Sequence, residues 1–404
     1  MAKKFDISIR SINLKEKFKD IHHVKIARIS SFGNKYAALL NIWATEEYKS
    51  LSQQIIVFDQ LQIINKYKLP KDLIWECIYS LDDDSYLLGS NFSSSYSGAV
   101  LALLKDRTIQ NSKKFDKGYS TKIHTIQRDK DANIIIKGNW YKCVPSGSHD
   151  DYYPEPWQSR ITIESSELID EDLDDSYQNL IKYSVSDSDL NPENYYVLED
   201  YGISKYTNDD KLIWNQGLGN LRLESLQPIN KMVPFFKTQN GKIFQDGVWF
   251  AGADHTHSDR SLSEPFFGRI TAGGTILSFK HLLFNFPEIY KIHTIIPGMD
   301  NNCLLIAETL IMGRGSGLCL LYNHFSEGIL QQQIKYINFS NSDLKLTVQD
   351  KPEFHDRYLD IKKIVPQSKR LEDLKEIIIF GNASHLRNRD NGDVWSIAVL
   401  DSFV

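Results

Sequence analysis

The chain has 404 residues, of which 41% are hydrophobic, 12% aromatic and 25% charged, and its formal net charge is −5. So much apolar content excludes a disordered chain, and 22 glycines without a three-residue period exclude a collagen-like one. The mildly acidic balance argues against a nucleic-acid binder, in which basic residues cluster in excess on one face.

The start, Met1-Ala2-Lys3-Lys4, is basic, but Asp6, Arg10, Lys15, Glu16 and Lys17 interrupt any apolar stretch after it, so no secretory signal is expected. No window approaches 18 consecutive apolar residues, so no membrane span is expected either. Cys77, Cys143, Cys303 and Cys319 lack metal-type spacing and read as small core residues or incidental thiols. The expectation is a soluble, reduced, cytoplasmic protein with no cofactor, no membrane and no nucleic-acid partner.

In chain order, a strand-like run at 5–12 comes first, and 14–21 is at best a short helix or an extended entry segment. Four short runs follow at 24–30, 36–43, 54–59 and 62–69, rich in β-branched and aromatic residues and separated by turn chemistry. The same order recurs at 289–296, 303–308, 317–323 and 329–337. A signature of two apolar residues three apart marks each recurrence. It reads Ile26 and Ile29, Trp75 and Ile78, Ile123 and Ile126, Leu223 and Leu226, Ile292 and Ile295, Ile361 and Ile364, with a weaker copy at 180–185. The pentapeptide Lys-Ile-His-Thr-Ile stands unchanged at 122–126 and 291–295.

Seven copies give a mean spacing of about 56 residues, with single spacings from about 41 to about 69. Short strands at this period, with almost no helical pattern, predict an all-β, seven-bladed β-propeller of four-stranded antiparallel blades. The expected blades are 24–70, 71–117, 118–172, 176–218, 219–284, 285–340 and 356–404, forming one domain over 1–404. The last copy has runs only at 358–366, 376–382 and 394–401 and lacks a fourth strand. The unassigned run at 5–12 would supply that strand and close the ring, because open sheet edges are costly.

Gly381-Asn382-Ala383-Ser384, Gly392-Asp393-Val394-Trp395 and Val399-Leu400-Asp401 resemble the bacterial WD-like propeller repeat. Gly89-Ser90-Asn91-Phe92 and Gly138-Asn139-Trp140 follow the same plan. The turn at 208–214, which ends in Trp214, is similar to the Trp turn of quinoprotein-like repeats, and 272–277 is a second instance. The resemblance implies a fold and not an activity.

In antiparallel blades the connections from strand two to strand three share a face with those between blades. Here they are long: 44–52, 93–97, 141–158, 253–265, 310–316 and 383–391. They carry Tyr152, Tyr153, Trp157, His149, Asp254, His255, His257, Arg260, Arg314, His385, Arg387 and Arg389, which makes this the expected binding face. An amide or carboxylate ends strand two in every copy: Asn41, Asn91, Asn139, Glu199 or Asp200, Asp254, Glu308 and Asn382. These groups read either as turn chemistry or as a polar ring around a central funnel.

His255 and His257 alternate in an extended segment and could share a cation, although two loop histidines are weak evidence for a metal. Tyr152, Tyr153 and Trp157 could form an aromatic platform. No GxSxG, Walker, HExxH or strand-to-helix GxGxxG pattern occurs. His124 and His293 read as interior strand residues with a local partner. The leading expectation is therefore a non-enzymatic scaffold that binds a protein or peptide. A funnel hydrolase or lyase using Asp254, His257 and Glu308 is the alternative, and a carbohydrate-binding propeller is the third reading.

Overall fold

β-branched and aromatic runs separated by tight turns form strands along the whole chain in a computed structural model, from Ile7 to Asp401. It describes residues 7–14, 17–18, 21–44, 51–59, 62–91, 98–129, 132–146, 149–173, 184–186, 194–199, 202–207, 209, 211–218, 229–254, 264–282, 288–311, 315–326, 329–339, 346–349, 357–385 and 388–401. At 7–13, 145–146, 149–151, 384–385, 388–401 and some other strand ends the description covers the main chain only. Among the described residues no helix is long and apolar enough to cross a membrane.

The chain opens with β1 (Ile7–Asn13). The first sheet is β2 (His23–Phe32), β3 (Lys35–Trp43), β4 (Leu51–Asp59) and β5 (Gln62–Lys68). The second is β6 (Ile74–Ser80), β7 (Ser85–Asn91), β8 (Ala99–Lys105) and β9 (Thr108–Phe115). The third is β10 (Tyr119–Arg128), β11 (Ile134–Ser146), β12 (His149–Glu164) and β13 (Glu167–Asp172). The fourth is β14 (Ser184–Ser186), β15 (Asn194–Glu199), β16 (Gly202–Thr207) and β17 (Leu212–Gly217). The fifth is β18 (Ile229–Gln239), β19 (Lys242–Asp254), β20 (Glu264–Ile270) and β21 (Ile276–His281). The sixth is β22 (Glu288–Pro297), β23 (Asn302–Ile311), β24 (Gly315–Ser326) and β25 (Ile329–Phe339), with β26 (Leu346–Gln349) added at its edge. The seventh is β27 (Arg357–Pro366), β28 (Glu376–His385) and β29 (Asn388–Asp401), and β1 pairs antiparallel with β29 from Ile7↔Asp401 to Asn13↔Trp395.

Each sheet is thus an antiparallel meander of four strands in sequence order, the expected blade, and the N-terminal strand completes the seventh. Two details differ from the sequence expectation. Blade six carries a fifth strand, β26, which lies beside β1 of blade seven, and a single parallel bridge, Gly315↔Arg357, links those two blades. In blade five the first strand is Ile229–Gln239; the expected signature at Leu223 and Leu226 lies outside the described residues.

Core residues alternate along the strands and pack between successive blades. Six apolar clusters fill the interfaces of blades one with two, two with three, four with five, five with six, six with seven, and seven with one. The last includes Leu14, Ile26 and Ile42 against Ile378 and Phe380, with Phe18 and Ile21 packed on it, which is where the 14–21 segment goes. Residues 174–183 and 187–193, which follow blade three in the chain, lie outside the described residues. First strands touch the first strands of neighbouring blades: β2 with β6, β6 with β10, β14 with β18, β18 with β22, β22 with β27 and β27 with β2. The first strand is therefore the inner edge of each blade.

The spacing of three in the sequence signature has a structural cause. In β2, β6, β10, β22 and β27 the register slips by one residue directly after the first apolar residue, leaving Ala27, Glu76, His124, His293 and Lys362 as extra residues. Residues three apart in a regular strand face opposite sides; one bulged residue returns them to the same side. Ile26 and Ile29 accordingly share one cluster, Trp75 and Ile78 another, and Ile123 and Ile126 a third. In β18 the slips fall after Ile229 and after Pro234, and Met232 and Phe235, three apart, belong to different clusters.

Candidate functional site

An edge strand leaves every second N–H and C=O without a ladder partner. At the inner edge these groups are met by side chains from the preceding blade. Asn382 Oδ1 accepts from Ile26 N at 2.8 Å and its Nδ2 donates to Ile26 O at 3.0 Å. Asn91 brackets Ile123 in the same way, at 2.8 Å to N and 3.4 Å to O. In blade one the role passes to Gln53, which accepts from Trp75 N and donates to Trp75 O, both at 2.7 Å, and also donates to Asn41 Oδ1. Asn91 and Asn382 are 5% and 2% exposed. The strand-two amides at 91 and 382 are thus neither solvent turn caps nor a ligand-facing ring; each binds the residue that precedes the next blade's bulge.

The polar groups that do reach the inner edge stand on the first strands. Glu76, the bulged residue of β6, accepts from Asn91 Nδ2 at 2.6 Å. Asp360 accepts from Asn382 Nδ2 at 3.2 Å and pairs with Lys362, the bulged residue of β27, at 2.8 Å. His293 Nε2 lies 3.1 Å from Glu308 Oε2, both largely buried, so His293 has the local partner expected of it. His124, the bulged residue of the other copy of the pentapeptide, is exposed instead of interior. A lysine stands immediately before the first signature residue in three first strands, at Lys25, Lys122 and Lys291, and Lys231 precedes Met232 in β18. Burial holds Lys231 below the ordinary lysine range, and the charge of Lys291 on the adjacent strand adds to the effect. These lysines had no place in the sequence-level site, since their common position emerges only once the bulges align the first strands.

The long connection expected at 141–158 is not a loop. Strands β11 and β12 stay paired to Ser146↔His149, whereas β10 ends opposite Tyr141 and β13 begins opposite Ser159. Residues 142–146 and 149–153 form a two-stranded pair that projects beyond the sheet, at about 3.3 Å per residue. Aromatic and β-branched residues on both arms explain the strand. Pro145 within the hairpin, and Pro154 and Pro156 at its base, lack N–H donors, which reduces the donors its edges offer for strand addition.

The three aromatics of the expected platform separate here. Tyr153 is 54% exposed opposite Lys142, on the same side as Val144, which is 40% exposed. Tyr152, 39% exposed, lies opposite Cys143 on the other side. Trp157 is 8% exposed and stacks on Phe115 of blade two, with ring centres 5.3 Å apart, inside the interface between blades two and three. It fits there because Gly138 lies opposite: a Cβ at that position would come within 2.7 Å of the indole nitrogen and 1.8 Å of Lys122 O. Trp157 therefore belongs to the core and Tyr152 and Tyr153 to the surface.

Asn139 is half-buried and pairs in register with Lys122. Asp200, His255, His257, Arg260, Arg314 and Arg387 lie outside the described residues; His149, Asp254, His385 and Arg389 are described in their main chain only. Asp254 and Glu264 close the β19–β20 pair, so the histidine segment connects those strands. Among the described residues no group of three or more His, Cys, Asp or Glu is placed to hold a metal ion. The Trp214 turn has a docking role: its Nε1 donates to Ala272 O of blade five at 3.0 Å, and its ring lies over Gly274 at 3.1 Å from where a Cβ would be.

Four-stranded antiparallel sheets in sequential order, with contacting inner edges and a last sheet completed by the N-terminal strand, define an all-β structure of β-propeller type. The chain matches no family model and no curated protein sequence. Among solved structures it is similar to the β-propeller domain of the Trilobed protease from Pyrococcus furiosus, at 9% identity and a TM-score of 0.39 over 93% of this chain and 95% of that one. It is also similar to the WD40 β-propeller domain of Doa1, at 9% identity and a TM-score of 0.36 over 99% and 97% of the two chains. A third is the acylaminoacyl peptidase of Pyrococcus horikoshii, at 9% identity and a TM-score of 0.38, where 89% of this chain covers 49% of that one.

Proposed function

We propose that the chain closes into a seven-bladed ring and serves as a non-enzymatic platform that captures a protein partner on the face of the long connections. The projecting β11–β12 hairpin carries this reading. It presents Tyr152 and Tyr153 on its two sides, with Val144, on a rigid paired support, so large contact area is offered at little ordering cost. Lys25, Lys122, Lys231 and Lys291 stand on four first strands toward the same face, and suit an acidic segment of the partner.

The test is capture by the immobilised protein beside a Tyr152→Ala/Tyr153→Ala variant. Proteins retained by the wild type and lost by the variant, and released as salt rises, support the reading; identical retention by both removes it. Carbohydrate binding by the same tyrosines would show instead as retention of glycans. A funnel hydrolase is favoured by one observation, the His293–Glu308 contact at 3.1 Å, which could serve as a general-base pair. Its test is a panel of ester, peptide and glycoside substrates with His293→Gln as the control. Turnover that this variant loses would replace the platform reading.

A further inference from the structure

Arg269 lies in β20, opposite Ser278 of β21, and is 8% exposed. Its guanidinium is 4.6 Å from the ring centre of Phe235, 5.4 Å from Trp249 and 5.8 Å from Phe325. Nη1 donates to Asn301 Oδ1 of blade six. Nε has no hydrogen-bond partner among the described residues, and neither has the buried Oγ of Ser278. Arg269 forms no ion pair among them: Asp246, the carboxylate whose charge reaches it, pairs with Lys237. Burial lowers the arginine's pKa from its ordinary value and Asp246 opposes this, yet a guanidinium stays charged at any ordinary pH. A buried cation without an anion is costly, and three aromatic faces with one carboxamide recover only part of that cost.

A cavity of about 320 Å³ opens on this arginine, lined also by Leu277, Ser278, Phe279, Lys280, Asn301 and Phe325. It lies between the outer strand of blade five and the first turn of blade six, on the face opposite the long connections. Its volume suits a small ligand, and its walls join a charged fork to aromatic surface. Lys280 also lines the cavity but is exposed, so the buried charge is the single guanidinium: a phosphate would bring nearly two charges to it, and a carboxylate brings one, in the planar form the fork matches.

We propose that this cavity binds a monocarboxylate with an apolar body. The carboxylate takes the free edge of the Arg269 fork and the Ser278 hydroxyl, and the body lies on Phe325. The ligand is either a free acid or the C-terminal residue of a peptide.

Calorimetric titration of the full chain tests this with 3-phenylpropionate, its amide, a peptide ending in Phe as free acid, the same peptide amidated, and inorganic phosphate. The acids are expected to bind at least about tenfold more tightly than the amides. Ser278→Ala should weaken them several-fold, and Arg269→Met should abolish binding. A tighter peptide acid assigns the chain terminus as the source; a tighter free acid assigns the small molecule. Equal affinity for acid and amide, phosphate binding in place of the carboxylates, or unchanged binding by Arg269→Met would overturn the proposal. If Arg269→Met does not fold, the acid–amide comparison on the wild type and the Ser278→Ala variant decides.

Discussion

The carboxamide of Asn382 holds both main-chain polar groups of Ile26, donating to the carbonyl and accepting from the N–H, across 356 residues of sequence. This joins the last blade to the first at the point where the bulge of β2 begins. Asn382→Ala would leave a buried N–H and a buried C=O unsatisfied and is expected to cost about 2 kcal/mol or more. Asn91→Ala should behave alike at Ile123. Urea unfolding of the two variants measures it, and a cost near zero in both would mean that the clamps add nothing to the fold.

The hairpin separates surface from core within six residues. Trp157→Ala empties an interior site between blades two and three and should destabilise by about 3–5 kcal/mol. Tyr152→Ala and Tyr153→Ala remove exposed rings and should change stability by less than about 0.5 kcal/mol. Thermal melts of the three variants check this ordering. An equal loss in all three would put the tyrosines back in the core.

Lys231 carries a pH signature. Its folded pKa lies below the ordinary lysine value because of burial and the charge of Lys291, so the unfolded chain binds more protons between that folded value and 10.5. Stability from this group therefore rises with pH through that window, and at neutral pH the full penalty is present. Lys231→Met should stabilise the protein at pH 7, with the advantage shrinking toward pH 10.5 and above. Denaturant midpoints at the two pH values measure the difference; a destabilised variant at pH 7 would show that the ammonium has a compensating partner.

The four cysteines should react unequally. Cys77, Cys303 and Cys319 are buried, and burial pushes the Cys77 thiol up to about 11. Cys143 is exposed on the hairpin. A maleimide reagent is expected to modify one thiol quickly in the native protein and all four in denaturant. Mass spectrometry of the native product that found Cys77 or Cys319 modified first would contradict the packing.

The sequence by itself determined the repeat, the four-strand order within blades and the use of the N-terminal run as the fourth strand of the last blade. These follow from local signals: strand alternation, turn residues, and a missing strand matched by a spare one. Even the spacing of three between apolar residues, visible without a reason in Ile26 and Ile29, is a local consequence of one bulged residue. Tertiary structure decided what the polar residues do. Asn91 and Asn382 look like turn formers in sequence, and only the approach of another blade's edge turns them into clamps. Trp157 and Tyr153 share one side of one strand, and it is Phe115 of the neighbouring blade, with room left by Gly138 on the paired strand, that buries the first and leaves the second exposed. Arg269 carries no motif at all; its isolation arises where rings from three strands meet it and Asp246, the carboxylate whose charge reaches it, is paired with Lys237. Strand formation depends on neighbours along the chain, whereas burial, satisfaction of polar groups and charge pairing depend on segments brought together from far apart.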